Sequence, residues 1–290
     1  MLMINIKELV GIVEDGSLMK AGAAMSEVNR IENAFLYIRG KKIADYGKMD
    51  SPEYQQYLQK ERKVVDAKGG IVMPTFCDSH THIVYANSRV MEFVDKIKGL
   101  SYEEIAKRGG GILNSAKATA KATEDELYES AMRRLNEIMR MGTGAVEIKS
   151  GYGLTVDSEL KMLRVIKRLK ENSPLTIKAN FLGAHGVPME YRGRQSEFVD
   201  LVINEMIPLV VKENLADFID VFCDTGFFTV EETDRMLFAG MQNGLIPKIH
   251  ANELDYSGGI QVGVKYNALS VDHLECVGEK EIECLKASQT

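Results

Sequence analysis

Short apolar segments alternate with longer segments of helical periodicity from residue 71 onward, and this alternation restricts the possible folds most strongly. The pattern predicts β-strands at residues 71–77, 144–148, 176–182, 217–222, 246–249 and 268–271. It predicts helices at residues 124–141, 157–171, 197–212, 230–243 and 256–265, the first opened by a capping box from Thr123 to Glu126. Such alternation is typical of an α/β fold with a parallel sheet.

Two architectures fit this order of elements: a doubly wound sheet and a (β/α)8 TIM-like barrel. A doubly wound nucleotide-binding sheet favours a glycine-rich turn after its first strand, and the sequence shows none there. Polar, reactive residues instead follow the ends of several different strands, which is where a barrel carries its active site. We therefore predict the barrel, with six of its strands in this chain. We expect either that the chain is shorter than the complete barrel or that something else closes it.

Residues 1–70 have a different pattern, in which short apolar stretches are separated by turn signals such as Arg39-Gly40 and Ser51-Pro52. This pattern predicts a small β unit with hairpins at residues 1–70. The barrel is then expected to occupy residues 71–290.

Charge and composition exclude several classes of function. The formal net charge is −6, whereas nucleic-acid binders usually carry a basic patch. No apolar run approaches the roughly 18 residues that span a bilayer, and the first residues make a poor signal peptide. The 4 cysteines include no CxxC pair, which favours reduced thiols. We therefore expect a soluble, cytoplasmic, globular protein without nucleic-acid or membrane partners.

All 5 histidines lie at or just beyond the ends of predicted strands. His80 and His82 are two residues apart, so in an extended segment their side chains point to the same side and can share one metal ion. His250 and His273 follow the fifth and sixth strands. Neutral imidazole is a good ligand for zinc, iron or nickel, and nitrogens that share a zinc ion should lie within about 5 Å of each other.

The order of these histidines resembles the metal-dependent amidohydrolase superfamily. Longer stretches resemble the imidazolonepropionase family within it, over nearly the whole chain. These stretches are Met73 to His82, Arg108 to Ile112, Glu147 to Gly153, Phe181 to His185 and Tyr191 to Arg194. The resemblance implies a TIM-like amidohydrolase barrel with a small N-terminal β-sandwich unit. It further implies hydrolytic ring opening of 4-imidazolone-5-propanoate to N-formimidoyl-L-glutamate in histidine degradation, with one zinc or iron ion and a homodimeric assembly.

The resemblance also implies roles for individual residues. The ion would be held by His80, His82 and His250. The anionic substrate would be bound by Arg89, Tyr152, His185 and, after the same barrel strand as Arg89, Tyr102. Proton transfer would fall to Glu253 and His273, and its division between them stays open. Asp272 has the opposite strand parity to His273, so we expect it to face the barrel wall.

The family completes its metal site with an aspartate at the end of strand eight, and no residue follows Thr290 in this sequence. We therefore expect the 290-residue chain alone to take up metal weakly and to show little activity. We also expect it to be poorly soluble, because a barrel without its last two strands exposes apolar interior. Two alternatives stay open at this point. One is another cyclic amidine hydrolase or deaminase on the same scaffold, which would not need Arg89 to bind a carboxylate. The other is an inactive metal-binding fragment.

Overall fold

A computed structural model of the chain describes residues 1–100, 104 and 110–290. They form two compact units, Met1–Thr75 and Phe76–Thr290. The sequence placed the boundary after residue 70 and began the first barrel strand at Ile71. In the structure Ile71–Val72 pairs with the first strand of the N-terminal unit, and the barrel strand starts at Phe76.

The N-terminal unit is a single mixed sheet with one helix packed on it, where the resemblance implied a β-sandwich. Its strands are β1 (Leu2–Val10), β2 (Arg30–Arg39), β3 (Lys42–Lys48), β4 (Val64–Asp66) and β5 (Ile71–Val72), in the order β3-β2-β1-β4, with β5 also paired to β1. It also contains a 3-10 helix (Gly22–Ser26) and α1 (Pro52–Lys60). The hairpin predicted at Arg39-Gly40 joins β2 to β3. Tyr54 of α1 packs on Phe35 of β2, with ring centroids 5.6 Å apart.

The second unit contains a parallel sheet that provides the six predicted barrel strands. They are β6 (Phe76–Thr81), β7 (Thr143–Lys149), β8 (Thr176–Ala184), β9 (Phe218–Cys223), β10 (Ile246–Pro247) with β11 (Ile249–Ala251), and β12 (Val271–His273). The strand order is β12-β11-β9-β8-β7-β6, and β10 also pairs with β9. β10 and β11 are two parts of one strand, interrupted at Lys248. The last strand begins at Val271, where the sequence predicted its end.

In the part of the chain that the structure describes, the helices of the second unit include those in the five predicted ranges and also helices at residues 90–97, 112–121 and 279–286, which were not predicted. They are α2 (Val90–Ile97), α3 (Ile112–Lys121), α4 (Glu124–Arg140), α5 (Val156–Asn172), α6 (Gln195–Leu201), α7 (Ile207–Lys212), α8 (Val230–Gln242), α9 (Gly259–Lys265) and α10 (Glu279–Lys286). A 3-10 turn (Met189–Tyr191) precedes α6, and a π-helical turn (Val202–Met206) joins α6 to α7. The capping box predicted at Thr123 is present at the start of α4. Among the described residues, no helix combines the length and the apolar character needed to cross a bilayer.

The core of the second unit lies between this sheet and its helices. Every residue of β9 is buried, which is typical of a parallel strand covered on both faces. Asp220 is the one charged residue in that strand and points to a cluster of polar groups inside the sheet. Polar side chains buried within such a core must find partners, because an unpaired buried charge is costly. The location of these partners defines the candidate site.

Candidate active site

Three histidines from distant parts of the chain converge at the carboxyl ends of the strands. His80 belongs to β6, His82 follows that strand, and His250 belongs to β11. One ligand atom from each of the three lies within 4.8 Å of those from the other two, inside the limit expected for a shared ion. The rings of His80 and His250 have centroids 4.6 Å apart. The structure therefore brings together the three residues proposed as metal ligands.

Two carboxylates behind this group orient the imidazole rings. Nδ1 of His80 lies 2.9 Å from Oδ2 of Asp272, and Nδ1 of His250 lies 2.9 Å from Oδ1 of Asp220. A carboxylate can only accept, so each Nδ1 carries the proton and each Nε2 keeps its lone pair. Metal-binding histidines in proteins are commonly held in this way by a carboxylate on the other ring nitrogen.

The atoms left unpartnered also fit a bound cation. Nδ1 of His82 and Nε2 of His250 are buried and have no hydrogen-bond partner among the described residues. Burial lowers the pKa of His250 to about 4, although Asp220 opposes the change. Burial, together with the neighbouring His185 and His250, holds the pKa of His82 well below its usual range. Both rings are therefore neutral at pH 7, which is the form that binds metal ions.

The expectation that Asp272 faces the barrel wall was wrong. It pairs in register with His250 on the neighbouring parallel strand, and Ala251 pairs with His273. Residues paired in this way point to the same side of a sheet, so Asp272 points inward with His250. His273 nevertheless reaches the cavity, because its φ of 81° turns the backbone out of the strand. The alternation of side chains along an extended strand predicted that Asp272 and His273 point to opposite sides, with His273 inward. The prediction for Asp272 was wrong because His273 is not in an extended conformation.

A buried lysine, Lys149, lies at the centre of the inward-facing polar residues. Its contacts with the carboxylates there were not predicted from the sequence. Nζ of Lys149 lies 2.8 Å from Oε1 of Glu147, 2.8 Å from Oδ2 of Asp220 and 3.4 Å from Oδ2 of Asp272. Burial alone would lower the pKa of Lys149, but these carboxylates raise it. Burial alone would raise the pKa of Asp220, but His250 and Lys149 hold it well below its usual range. Asp220, a charged residue in the middle of the otherwise apolar strand β9, is the sequence feature that could have indicated this buried polar cluster.

A cavity of about 350 Å³ opens above the three histidines. Its lining includes the histidines and Arg89, Glu92, Phe93, Lys96, Ile112, Tyr152, Phe222 and Glu253. Arg89 immediately precedes α2 and donates from Nη2 to the Tyr152 hydroxyl over 3.3 Å. Two of the proposed substrate contacts are thus neighbours at one side of the cavity. Tyr102, the other proposed contact in the same part of the chain, lies outside the described residues.

His185 lies on the cavity wall with a fixed tautomer. Its ring stacks on that of His82, with centroids 5.0 Å apart, and its Nδ1 lies 3.0 Å from the Gly151 carbonyl oxygen. Burial and the neighbouring His250 lower the pKa of His185 to about 3, so the ring is neutral. A carbonyl only accepts, so Nδ1 donates to Gly151 and Nε2 is left as an acceptor.

Glu253 and His273, proposed for proton transfer, lie side by side at the cavity. Oε2 of Glu253 is 3.4 Å from Nε2 of His273. Burial raises the pKa of Glu253, although His273 opposes the rise. Oδ2 of Asp224 accepts from the backbone N–H groups of Glu253 and Leu254 and so fixes this segment. Helix α9 begins only at Gly259, so Glu253 is not a helix N-terminal carboxylate.

No protein-family model matches the chain. An imidazolonepropionase of Christiangramia forsetii is 53% identical over 290 residues, which is 100% of this chain and 70% of that protein.

Solved structures have the same fold at low sequence identity. A 5-methylcytosine deaminase from Klebsiella pneumoniae liganded with 5-fluorocytosine superposes with a TM-score of 0.65 at 15% sequence identity. The alignment covers 100% of this chain and 64% of the deaminase chain. An uncharacterized metal-dependent hydrolase from Pyrococcus furiosus has a TM-score of 0.62 at 13% identity, covering 99% and 75%. These similarities confirm the predicted barrel fold.

Proposed function

Because the chain belongs to the imidazolonepropionase family, we propose that the cavity above His80, His82 and His250 is the active site of a metal-dependent hydrolase. The chain acts on a carbon–nitrogen bond of a cyclic amide, opening 4-imidazolone-5-propanoate to N-formimidoyl-L-glutamate in histidine degradation. The observation that carries the assignment of the site is the convergence of three imidazoles, with buried unpartnered nitrogens, beside an arginine. Neutral nitrogen ligands and a nearby cation match a metal-assisted reaction on an anionic substrate.

We propose that His80, His82 and His250 hold one divalent ion, zinc or iron. When bound there, such an ion would lower the pKa of a water molecule and polarise an amide oxygen. Asp272 and Asp220 prepare the site for the ion. They accept from Nδ1 of His80 and His250, so that Nε2 of each ring keeps its lone pair. Imidazole ligands suit both zinc and iron, so the donor set leaves both ions open.

Arg89 and Tyr152 bind the propionate group of the substrate in this proposal. The guanidinium can form two parallel hydrogen bonds to a carboxylate, and the tyrosine hydroxyl already lies next to it. His185 then accepts a hydrogen bond from a ring N–H of the substrate through Nε2. This orientation follows from its Nδ1–H bond to the Gly151 carbonyl. The two interactions together place the ring carbonyl carbon above the three histidines.

Proton transfer is assigned to Glu253, with His273 beside it. A water oxygen adds to the ring carbonyl carbon, and the carbon–nitrogen bond of the ring then breaks. Oε2 of Glu253 takes a proton from that water and returns it to the departing ring nitrogen. A raised pKa brings the carboxyl closer to neutral pH, where it can both accept and donate. His273 holds Glu253 in place through Nε2.

The deaminase alternative is less well supported. Arg89 lines the cavity and adjoins Tyr152, which a carboxylate-bearing substrate requires and a neutral nucleobase does not. The decisive experiment loads the protein with zinc or iron(II) and follows the loss of imidazolone absorbance, with 5-methylcytosine and guanine as control substrates. Turnover of the imidazolone alone supports the proposal. Ammonia release from a nucleobase would replace it with the deaminase, and metal uptake without any turnover would support the inactive fragment.

We further propose a homodimer in the cytoplasm. The assembly is proposed from the family resemblance, and the compartment from four cysteines that are all free thiols. Sedimentation equilibrium and cell fractionation test the two statements separately.

A further inference from the structure

The loop of residues 150–154 carries Tyr152 and the carbonyl that orients His185. It connects β7 to α5 and contains two residues with left-handed backbone, Gly151 (φ 101°) and Leu154 (φ 57°). A leucine in this conformation is uncommon and needs support from its surroundings.

That support comes from one side chain in the first turns of α5. Glu159 is completely buried, and its carboxylate accepts three backbone N–H groups of the loop. Oε2 lies 3.0 Å from the Gly151 nitrogen, and Oε1 lies 2.7 Å from that of Gly153 and 2.9 Å from that of Leu154. The Ser150 side chain also hydrogen-bonds to this carboxylate. Four hydrogen bonds from four loop residues therefore end on a single carboxylate.

The loop packs so closely on the start of α5 and on His185 that two positions accept only glycine. A Cβ on Gly153 would lie 2.4 Å from the backbone nitrogen of Glu159. A Cβ on Gly151 would lie 2.8 Å from Nδ1 of His185. The loop is thus held between Glu159 on one side and the ring of His185 on the other.

Helix capping does not account for Glu159. Thr155 is the N-cap of α5, and its side chain accepts from the Ser158 backbone N–H over 3.3 Å. A capping-box carboxylate would occupy the position of Ser158, three residues after the cap. Glu159 is one residue further along and points toward the loop. A buried carboxylate has a high desolvation cost, so its retention at this position needs another explanation.

We propose that Glu159 is a positioning residue for substrate recognition, which holds loop 150–154 so that Tyr152 and the Nε2 atom of His185 face the cavity. Gly151 links the two effects. Its N–H is donated to Glu159, and its carbonyl accepts the Nδ1–H of His185. The inference rests on the proposed roles of Tyr152 and His185 as substrate contacts.

The experiment compares Glu159→Gln with Leu163→Ala in the zinc-loaded protein. Leu163 lies one turn later on the same helix and is completely buried, but it belongs to the apolar core. The probe is 3-(imidazol-4-yl)propionate, a stable substrate analogue, titrated by calorimetry. The amide of Gln replaces one accepting oxygen by a donor, so we expect the Kd of the analogue to rise about tenfold or more. Leu163→Ala should lower the Tm and leave the Kd within about twofold.

A spectroscopic signature separates positioning from general stability. Proton–nitrogen correlation spectra of the 15N-histidine-labelled protein should show His185 with its proton on Nδ1 in the unaltered protein, and a mixture of tautomers in Glu159→Gln. Leu163→Ala should keep the original tautomer. If Glu159→Gln does not fold, Glu159→Asp replaces it in the experiment. Aspartate keeps the charge but is one methylene too short to reach all the partners of Glu159, so it should also raise the Kd and mix the His185 tautomers.

Several results would overturn the inference. Unchanged analogue affinity and an unchanged His185 tautomer in a folded Glu159 variant would do so. A proton on Nε2 of His185 in the unaltered protein would do so without any variant. Failure of the unaltered protein to bind the analogue would instead contradict the proposed function, while the tautomer measurement would still test the positioning role.

Discussion

Oδ2 of Asp272 lies 2.9 Å from Nδ1 of His80, and this contact joins the two strands at opposite ends of the sheet order, β12 and β6. Lys248 strengthens the connection, since its Nζ lies 3.3 Å from Oδ2 of Asp272 and donates to the Ser79 carbonyl over 3.1 Å. The first and last barrel strands of this chain therefore meet through polar side chains at the candidate site. Asp272, which orients the proposed metal ligand His80, thus also connects the ends of the sheet.

Lys149→Met should destabilise the protein by about 3–5 kcal/mol, because it leaves Glu147 and Asp220 buried without their cation. Urea unfolding followed by circular dichroism measures the change. Lys170→Met is the matched control. It breaks a 3.4 Å pair with Asp217 on a lysine side chain that is 48% exposed, and should cost less than about 1 kcal/mol. Equal effects of the two substitutions would show that the buried cluster does not depend on Lys149.

His250→Ala should abolish zinc binding even at a zinc concentration that saturates the unaltered protein, since it removes one of three converging imidazoles. His273→Ala should retain the ion, because His273 faces Glu253 and Glu275 instead. Equilibrium dialysis followed by elemental analysis gives the metal content of both variants. Retention of one zinc per chain by His250→Ala would remove this residue from the ligand set.

Arg89→Ala should raise the KM for imidazolone propionate about tenfold or more and change kcat much less. The contact with the propionate exists in the ground state as well as in the transition state, so its loss mainly weakens binding. Steady-state kinetics of the metal-loaded protein provides the measurement, and the low activity expected of this chain does not prevent it, because KM does not depend on the fraction of active molecules. Arg133→Ala, on an exposed face of α4, is the control and should leave both constants unchanged. A KM that stays constant in Arg89→Ala would exclude the proposed carboxylate contact.

The stabilising effect of Asp217 should disappear in acid. Burial alone would raise the pKa of Asp217, but the Ala179 backbone N–H and the Lys178 ammonium lower it by more. A folded-state pKa below the unfolded value of about 3.9 stabilises the protein above about pH 4, and this contribution is lost as the pH falls through the folded-state pKa.

Urea unfolding of Asp217→Asn and the unaltered protein at pH 7 and pH 3 tests this. The difference in unfolding free energy should shrink at the lower pH. Leu163→Ala, which removes no ionisable group, should cost the same at both. A constant difference for Asp217→Asn would contradict the prediction.

Local pattern predicted the barrel and placed the histidines at the ends of its strands, whereas the roles of Arg89, Tyr152 and Glu253 were implied by the family resemblance. The apolar segments predicted six strands, and the helical periods predicted the helices between them except α2 and α3. Two-residue spacing placed His80 and His82 on one side, and the ends of later strands provided His185 and His250. The predicted boundaries of two strands were wrong. Ile71–Val72 belongs to the N-terminal sheet and not to the first barrel strand, and β12 starts at Val271, where its end was predicted. Short apolar runs do not reveal which neighbour they pair with, since pairing depends on distant strands.

The sequence by itself determined which residue types lie at the strand ends, because alternation and helical period are local properties of the chain. Only the tertiary structure decided which of them face each other. Lys149 and Asp220 are 71 residues apart, and His80 and Asp272 are 192 apart. The left-handed backbone at His273 reversed the side expected for Asp272. Glu159 reads as an ordinary first-turn helix residue until the loop folds onto it. Such contacts form because buried charges and backbone N–H groups must find partners, and the fold decides which partners are within reach.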